Sequence, residues 1–215
     1  MRPGSVEGLA RISRYALRPS PAQPQNPSGG GVHYRGILLY NPAMPCILVS
    51  PLSAVDAVIA AHRPSHMVTL LSPERMIETP DGFPATRHLR LGVNDIADAT
   101  AGTHPPGREH IDALLAFSRD WDGNSPILIH CWAGVSRSMA SAYTVLCDRL
   151  GPGREIEIAR AIRRRAPHAA PNTLLVSYAD AALGRNGHMI AALNSMGPAR
   201  MVEEGVTTEL PLADL

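Results

Sequence analysis

A short apolar run that passes directly into a helix-like segment is the feature that most constrains the fold of this chain. Residues 126–130, PILIH, suit a strand buried on both faces, and residues 135–150 carry helical spacing. The stretch CWAGVSR therefore forms the turn between a strand end and a helix start. Open α/β sheets bind ligands at this edge, because helix N-termini expose unpaired backbone N–H groups there.

The same alternation of apolar runs and helical segments begins at Cys46 and continues along the chain. The runs CILV, HMVTLL, TRHLRLGV and PILIH predict strands. Helices are predicted at SAVDAVIAAH with Ser53 as its N-cap, and at GREHIDALLAFSRDW, VSRSMASAYTVLCDRL, GREIEIARAIRRRA, NTLLVSYADAAL and GHMIAALNSM. The pattern predicts one α/β domain over residues 44–197.

The two terminal segments differ from this domain in composition. Residues 1–43 include the stretch RPSPAQPQNPSGGG, which cannot bury enough apolar surface to fold alone, so a disordered N-terminal tail is predicted. Residues 198–215 hold several acidic side chains with little periodicity. We therefore expect an exposed acidic C-terminal tail.

Composition excludes several classes of function. The formal net charge of +1 argues against a nucleic-acid partner, and the chain has no lysine, which excludes lysine Schiff-base chemistry and a Walker-type phosphate lysine. The three cysteines are widely spaced, which favours a reducing compartment over a disulfide framework. No run is long and apolar enough to span a bilayer. A soluble, cytoplasmic protein without a membrane partner is predicted, and the oligomeric state is not indicated.

The turn CWAGVSR carries residues suited to phosphate chemistry. Gly134 permits a tight turn that points backbone N–H groups into one concavity, and a helix N-terminus stabilises the thiolate of Cys131 there. Arg137, six positions further on, has a planar fork of donors that can hold two oxygens of a tetrahedral anion. The spacing indicates a nucleophile beside a phosphate clamp.

These residues resemble the signature of the cysteine-dependent protein tyrosine and dual-specificity phosphatases: His-Cys, five residues, Arg, then Ser or Thr. His130, Cys131, Gly134, Arg137 and Ser138 match it. The resemblance implies a single α/β domain with a central, mostly parallel four- or five-stranded sheet flanked by helices. The chain lacks a segment like the phosphotyrosine-recognition loop of the strictly tyrosine-specific enzymes, so the dual-specificity-like branch, in a bacterial member, is the closer match.

The resemblance also implies roles for individual residues. Cys131 is the nucleophile that forms a phosphocysteine intermediate, Arg137 is the clamp, and Ser138 assists breakdown of the intermediate. His130 organises the loop and supports the thiolate. The phosphate is held by the loop residues Trp132, Ala133, Gly134, Val135, Ser136 and Arg137, and no metal or cofactor is expected.

A general acid is needed to protonate the leaving oxygen, and two carboxylates after a predicted strand are candidates. Asp95 follows LGVN directly and is favoured. Asp98 lies further into the loop, and either side chain could merely cap a turn. Asn172 resembles the residue at which the family supports the phosphate loop, and it is equally an ordinary N-cap. Trp132 is expected to pack beneath the loop rather than shape the pocket mouth.

The substrate class is open between three alternatives. Protein phosphotyrosine is favoured, with phosphoserine or phosphothreonine as further substrates. A phosphoinositide or inositol-phosphate phosphatase is the second alternative, but lipid-directed relatives often carry lysines in the insert, and WAGVS has no basic residue. The third is a catalytically weak pseudophosphatase that binds phosphorylated proteins.

Overall fold

Four apolar strands lie side by side in parallel, and their carboxyl ends meet at one edge of a sheet. The computed structural model describes residues 45–215, and the predicted N-terminal tail, residues 1–43, lies outside them. The strands are β1 (Cys46–Pro51), β2 (His66–Leu71), β3 (His88–Gly92), β4 (Ile127–Cys131) and β5 (Thr208–Pro211). Their order is β3-β2-β4-β1-β5, in which β5 pairs antiparallel with β1 and the other three pairs are parallel. The predicted α/β fold with a mostly parallel sheet is confirmed, with five strands.

Within residues 45–215, six helices flank this sheet, one at each predicted segment. They are α1 (Val55–His62), α2 (Arg108–Asp120), α3 (Arg137–Leu150), α4 (Glu155–Arg165), α5 (Thr173–Ala182) and α6 (His188–Asn194). The N-cap of α1 is Ala54, because a 3₁₀ turn over Leu52–Ala54 precedes the helix, so the prediction of Ser53 as N-cap is wrong. Within the described part of the chain, no helix has the length and apolar character needed to cross a membrane.

Alternating strand residues divide the core into two layers. In β4, Ile127 and Ile129 pack with the apolar faces of α2 to α6, whereas Leu128 packs with Val55 and Val58 of α1 on the other face. Successive side chains of a strand point to opposite faces, so both faces of β4 are covered. This double burial explains why PILIH is apolar at nearly every position.

The edge strand β5 comes from a segment for which an exposed acidic tail was expected. Thr208 and Leu210 are buried, while Glu209 between them is partly exposed, and Leu210 pairs with Ile47 of β1. The tail prediction is wrong for these residues. Alternation over a four-residue strand among acidic neighbours is too short a signal to be read from the sequence.

Candidate active site

The turn after β4 starts at the centre of the sheet. Cys131 pairs with Pro51 of β1 on one side and with Leu70 of β2 on the other. Gly134 follows with φ +70°, and a Cβ added there would lie 2.6 Å from the backbone nitrogen of Pro51. Only glycine meets both the left-handed backbone and this close approach. Residues 131–137, which we call the phosphate loop, therefore pack tightly against the end of β1.

Four carbonyl groups of the phosphate loop are held from outside by backbone N–H donors. The hydrogen bonds run from Leu52 to Trp132 (3.0 Å), from Gly205 to Ala133 (2.8 Å), from Ala170 to Val135 (3.0 Å) and from Asn172 to Ser136 (3.3 Å). In a trans peptide, the C=O of one residue and the N–H of the next point in opposite directions. The outward carbonyls therefore direct the following N–H groups toward the concave side of the loop. Such a cluster of converging N–H groups is an anion site.

The thiol of Cys131 lies beside a hydroxyl at the start of α3. Its Sγ is 3.2 Å from Oγ of Ser138, and both residues are buried. Burial raises the pKa of Cys46 and of Cys147 to about 12. Cys147 is fully buried in the core. Of the three thiols, Cys131 alone faces a helix N-terminus.

The Arg137 guanidinium is buried and fixed on one side. Its Nη1 donates to the carbonyl of Val93 at 2.8 Å, just after β3. Its Nε makes no hydrogen bond within the described residues and lies 3.7 Å from Oδ2 of Asp95. Anchoring through Nη1 leaves the edge formed by Nε and Nη2 for bidentate contact with two anion oxygens.

The carboxylate of Asp95 is tied directly to the phosphate loop. Its Oδ1 accepts hydrogen bonds from the Ser136 hydroxyl at 2.7 Å and from the Asn172 amide at 2.9 Å. A cavity of about 200 Å³ opens beside it, and its lining residues are Leu71, Ser72, Arg75, Asn94, Asp95, Trp132 and Arg137. The structure thus brings the favoured carboxylate and the arginine together around one small cavity.

The rival carboxylate, Asp98, lies away from this cavity on an exposed turn. Its Oδ1 accepts hydrogen bonds from the backbone N–H and the hydroxyl of Thr100, at 2.9 and 2.8 Å. These hydrogen bonds hold the pKa of Asp98 below its ordinary value. It is a turn cap in this structure. Among residues 45–215, no group of three or more His, Cys, Asp or Glu side chains is placed to hold a metal ion.

Asn172 combines the two arrangements considered for it. Its Oδ1 accepts the N–H of Leu175 as the N-cap of α5, while its Nδ2 donates to Asp95 and to the carbonyl of Ile96. The side chain therefore joins the start of α5 to the loop that carries Asp95.

Trp132 lines the mouth of the cavity, and the expectation that it packs beneath the loop is wrong. The residue is 49% exposed, and the guanidinium carbon of Arg75 lies 5.0 Å from its ring centroid, a cation–π distance. Arg75 ends a 3₁₀ turn, Pro73–Arg75, after β2. Arg75 could not be predicted as a site residue from the sequence, because its approach to Trp132 depends on β2 and β4 being neighbours in the sheet.

A buried series of side chains, linked by hydrogen bonds, supports the phosphate loop through His130, the residue that precedes it. The Thr69 hydroxyl lies 2.6 Å from Nε2 of His130 and 2.7 Å from Nε2 of His88, whose Nδ1 is 2.9 Å from the Thr79 hydroxyl. The pKa of His130 is lowered to about 4, mainly by burial and further by the nearby His88. The pKa of His88 is also lowered to about 4, mainly by burial and further by the charge of Arg90. Both imidazoles are neutral at pH 7. Since the Thr69 hydroxyl has one proton to donate, the tautomers of the two rings are linked.

Likenesses to known proteins were found among solved structures alone. No family model and no curated protein matches the chain. PTPMT1 in complex with PI(5)P is 15% identical, with 65% of this chain and 94% of that chain covered and a TM-score of 0.47. DUSP15 is 16% identical, with 72% and 92% covered and a TM-score of 0.46. The Yvh1 phosphatase domain from Chaetomium thermophilum is 20% identical, with 66% and 93% covered and a TM-score of 0.46.

Proposed function

We propose that this chain is a cysteine-dependent phosphatase of the protein tyrosine and dual-specificity superfamily, which hydrolyses phosphate monoesters. The observation that carries the proposal is the phosphate loop, with its carbonyls held outward, its N–H groups directed inward, and both Cys131 and Arg137 at its ends. Release of inorganic phosphate from p-nitrophenyl phosphate by the purified protein, in the presence of chelator, tests it. A chain that releases no phosphate would rule the proposal out.

The proposed reaction uses four side chains of the site. The Cys131 thiolate attacks phosphorus, and the bond from phosphorus to the leaving oxygen breaks while Asp95 gives that oxygen its proton. Arg137 and the loop N–H groups hold the three other phosphoryl oxygens as charge develops. Water then attacks the phosphocysteine and gives a proton to Asp95, and Cys131 leaves as a thiolate that accepts the Ser138 hydroxyl hydrogen bond across the 3.2 Å contact.

Phosphotyrosine in a protein or peptide is the proposed substrate. The cavity mouth offers one aromatic surface, Trp132, and one cation, Arg75, which fit an aryl ester with a flanking acidic residue. A headgroup with several phosphates calls for further cations, whereas Arg75 and Arg137 are the cationic side chains among the residues that line this cavity. A bacterial source and a cytoplasmic location remain predictions.

A comparison of substrates tests this proposal. We expect phosphotyrosine peptides to be hydrolysed with a higher kcat/KM than phosphoinositides presented in the same assay. Arg75→Ala should lower kcat/KM for a peptide with a glutamate beside phosphotyrosine by up to about fivefold, the value of an exposed ion pair. The same variant on a peptide with alanine in that place is the control. A faster rate on phosphoinositides would favour the lipid alternative, and binding without turnover would favour a pseudophosphatase.

Asp95→Asn and Asp98→Asn test which carboxylate is the general acid. A leaving oxygen needs its proton most when it is basic, so Asp95→Asn should slow hydrolysis of phosphotyrosine peptides by about 10²–10⁴-fold. The loss should be smaller on aryl phosphates whose phenol is already acidic, and the fall of the rate at alkaline pH should flatten. The measurement is kcat against pH for both substrates.

Asp98→Asn is the matched control for that experiment, because it removes the same charge three positions away. It should leave both rates within a few-fold of wild type, since the Asp98 carboxylate caps the turn to Thr100 and does not line the cavity. If Asp98→Asn showed the loss that depends on the leaving group, and Asp95→Asn did not, Asp98 would be the acid.

A further inference from the structure

The phosphate loop is braced by a segment far along the chain, residues 200–205, which we call the C-terminal strap. The backbone N–H of Arg200 donates to the carbonyl of Pro167 at 2.9 Å, and the N–H of Gly205 donates to Ala133 at 2.8 Å. Between these points, the Glu204 carboxylate accepts the Ser53 hydroxyl at 2.6 Å. The strap then leads into β5, which is paired with β1, so both of its ends are held.

The contact between the strap and Ala133 acts on one peptide group of the loop. Because Gly205 holds the carbonyl of Ala133 outward, the N–H of Gly134 points to the concave side of the phosphate loop. A Cβ on Gly134 would at the same time clash with the backbone nitrogen of Pro51. The orientation of this N–H therefore depends on contacts from both the strap and β1.

Gly205 can make this approach only because it lacks a side chain. A Cβ at this position would lie 2.6 Å from Nε2 of His168 and 3.2 Å from the carbonyl oxygen of Ala133. His168 is only 5% exposed, so its ring has little room to move. Gly205 is not in the left-handed region, so the requirement for glycine is one of space and not of backbone conformation.

We propose that the C-terminal strap is a positioning element for the phosphate loop, and that it acts through the hydrogen bond from Gly205 to Ala133. The proposal rests on the phosphatase function proposed above and assigns part of its phosphate affinity to residues beyond the predicted domain. Its direct effect is on binding of the phosphoryl oxygens, because the hydrogen bonds and ion pair described for Cys131, Arg137 and Asp95 are made to residues outside the strap.

The first test is Gly205→Ala in the full chain. The added methyl displaces the strap, and loss of one oriented N–H donor should raise KM for p-nitrophenyl phosphate and Ki for orthovanadate by about tenfold each. The variant His168→Ala/Gly205→Ala removes the ring that the methyl would strike and should restore both constants to within about threefold of wild type. Unchanged KM and Ki in a folded Gly205→Ala protein would overturn the proposal.

A second pair of variants decides the question if Gly205→Ala fails to fold. Glu204→Ala removes the exposed anchor to Ser53, whereas Glu203→Ala removes the same charge from the neighbouring exposed residue. Glu204→Ala should have KM and Ki about two- to threefold above those of Glu203→Ala, the range of a weak net hydrogen bond. Equal constants in the two variants would overturn the proposal.

These measurements separate the strap from the phosphatase function itself. Orthovanadate binding is followed by the rise in melting temperature that it causes, which needs no turnover. A wild-type protein that binds vanadate without releasing phosphate would contradict the proposed function, and the same binding measurement would still test the strap.

Discussion

Replacement of Cys131 by serine should abolish turnover and leave phosphate binding in place. A serine hydroxyl is a far poorer nucleophile than a thiolate, so kcat should fall by about 10⁴-fold or more. The inward N–H groups and Arg137 are unchanged, so a phosphotyrosine peptide should still bind, with Kd measured by calorimetry. Cys147→Ser is the control, because that thiol is buried in α3 away from the loop and should leave kcat near that of wild type. Turnover that survives in Cys131→Ser would remove this residue from the mechanism.

The same assignment predicts the response of the wild type to reagents. Activity should persist in chelator, because the proposed steps use no metal. It should fall with orthovanadate, which occupies the phosphate loop, and with peroxide, which oxidises a reactive thiolate first. Loss of activity on chelation would point to a different mechanism.

Replacement of Arg137 by lysine should be nearly as damaging, although the charge is kept. The guanidinium holds the Val93 carbonyl with Nη1 and presents its other edge to the anion, and a lysine ammonium offers no such planar pair of donors. Positioning dominates phosphoryl transfer, so we expect kcat/KM to fall by about 10³-fold. Arg90→Lys, at an exposed arginine paired with Glu78, is the matched control and should leave the rate unchanged. Near-normal kinetics in Arg137→Lys would mean that Arg137 is not the clamp.

The elements that could be predicted from the sequence are those with a local cause. PILIH and HMVTLL are buried on both faces, so their composition alone predicts strands, and each helix carries enough turns for its period to be seen. The loop after β4 was predictable for the same reason, because its residues are contiguous. The candidates for the general acid could be reduced to two carboxylates, and Asp95 could be favoured because it comes directly after β3.

The missed features depend on residues that are distant along the chain. Arg75 reaches Trp132 only because β2 lies beside β4, and strand order cannot be read from apolar runs. Thr69 resembles any β-branched strand residue until His130 and His88 are placed on either side of it. The one available signal for these contacts was that Thr69 is a polar residue inside a fully buried run. The residues next to Gly205 in the sequence give no indication of its hydrogen bond to Ala133.

The late position of β5 has a consequence for synthesis of the chain. β1 leaves the ribosome long before residues 208–211, so until then the edge that β5 covers presents unpaired backbone groups beside buried apolar side chains such as Ile47 and Leu48. Open edges of this kind pair readily with other chains. A nascent chain is therefore most prone to aggregate while β1 to β4 have formed and β5 has not. Point changes that delay docking of β5 should reduce the yield of soluble protein even where the finished fold tolerates them.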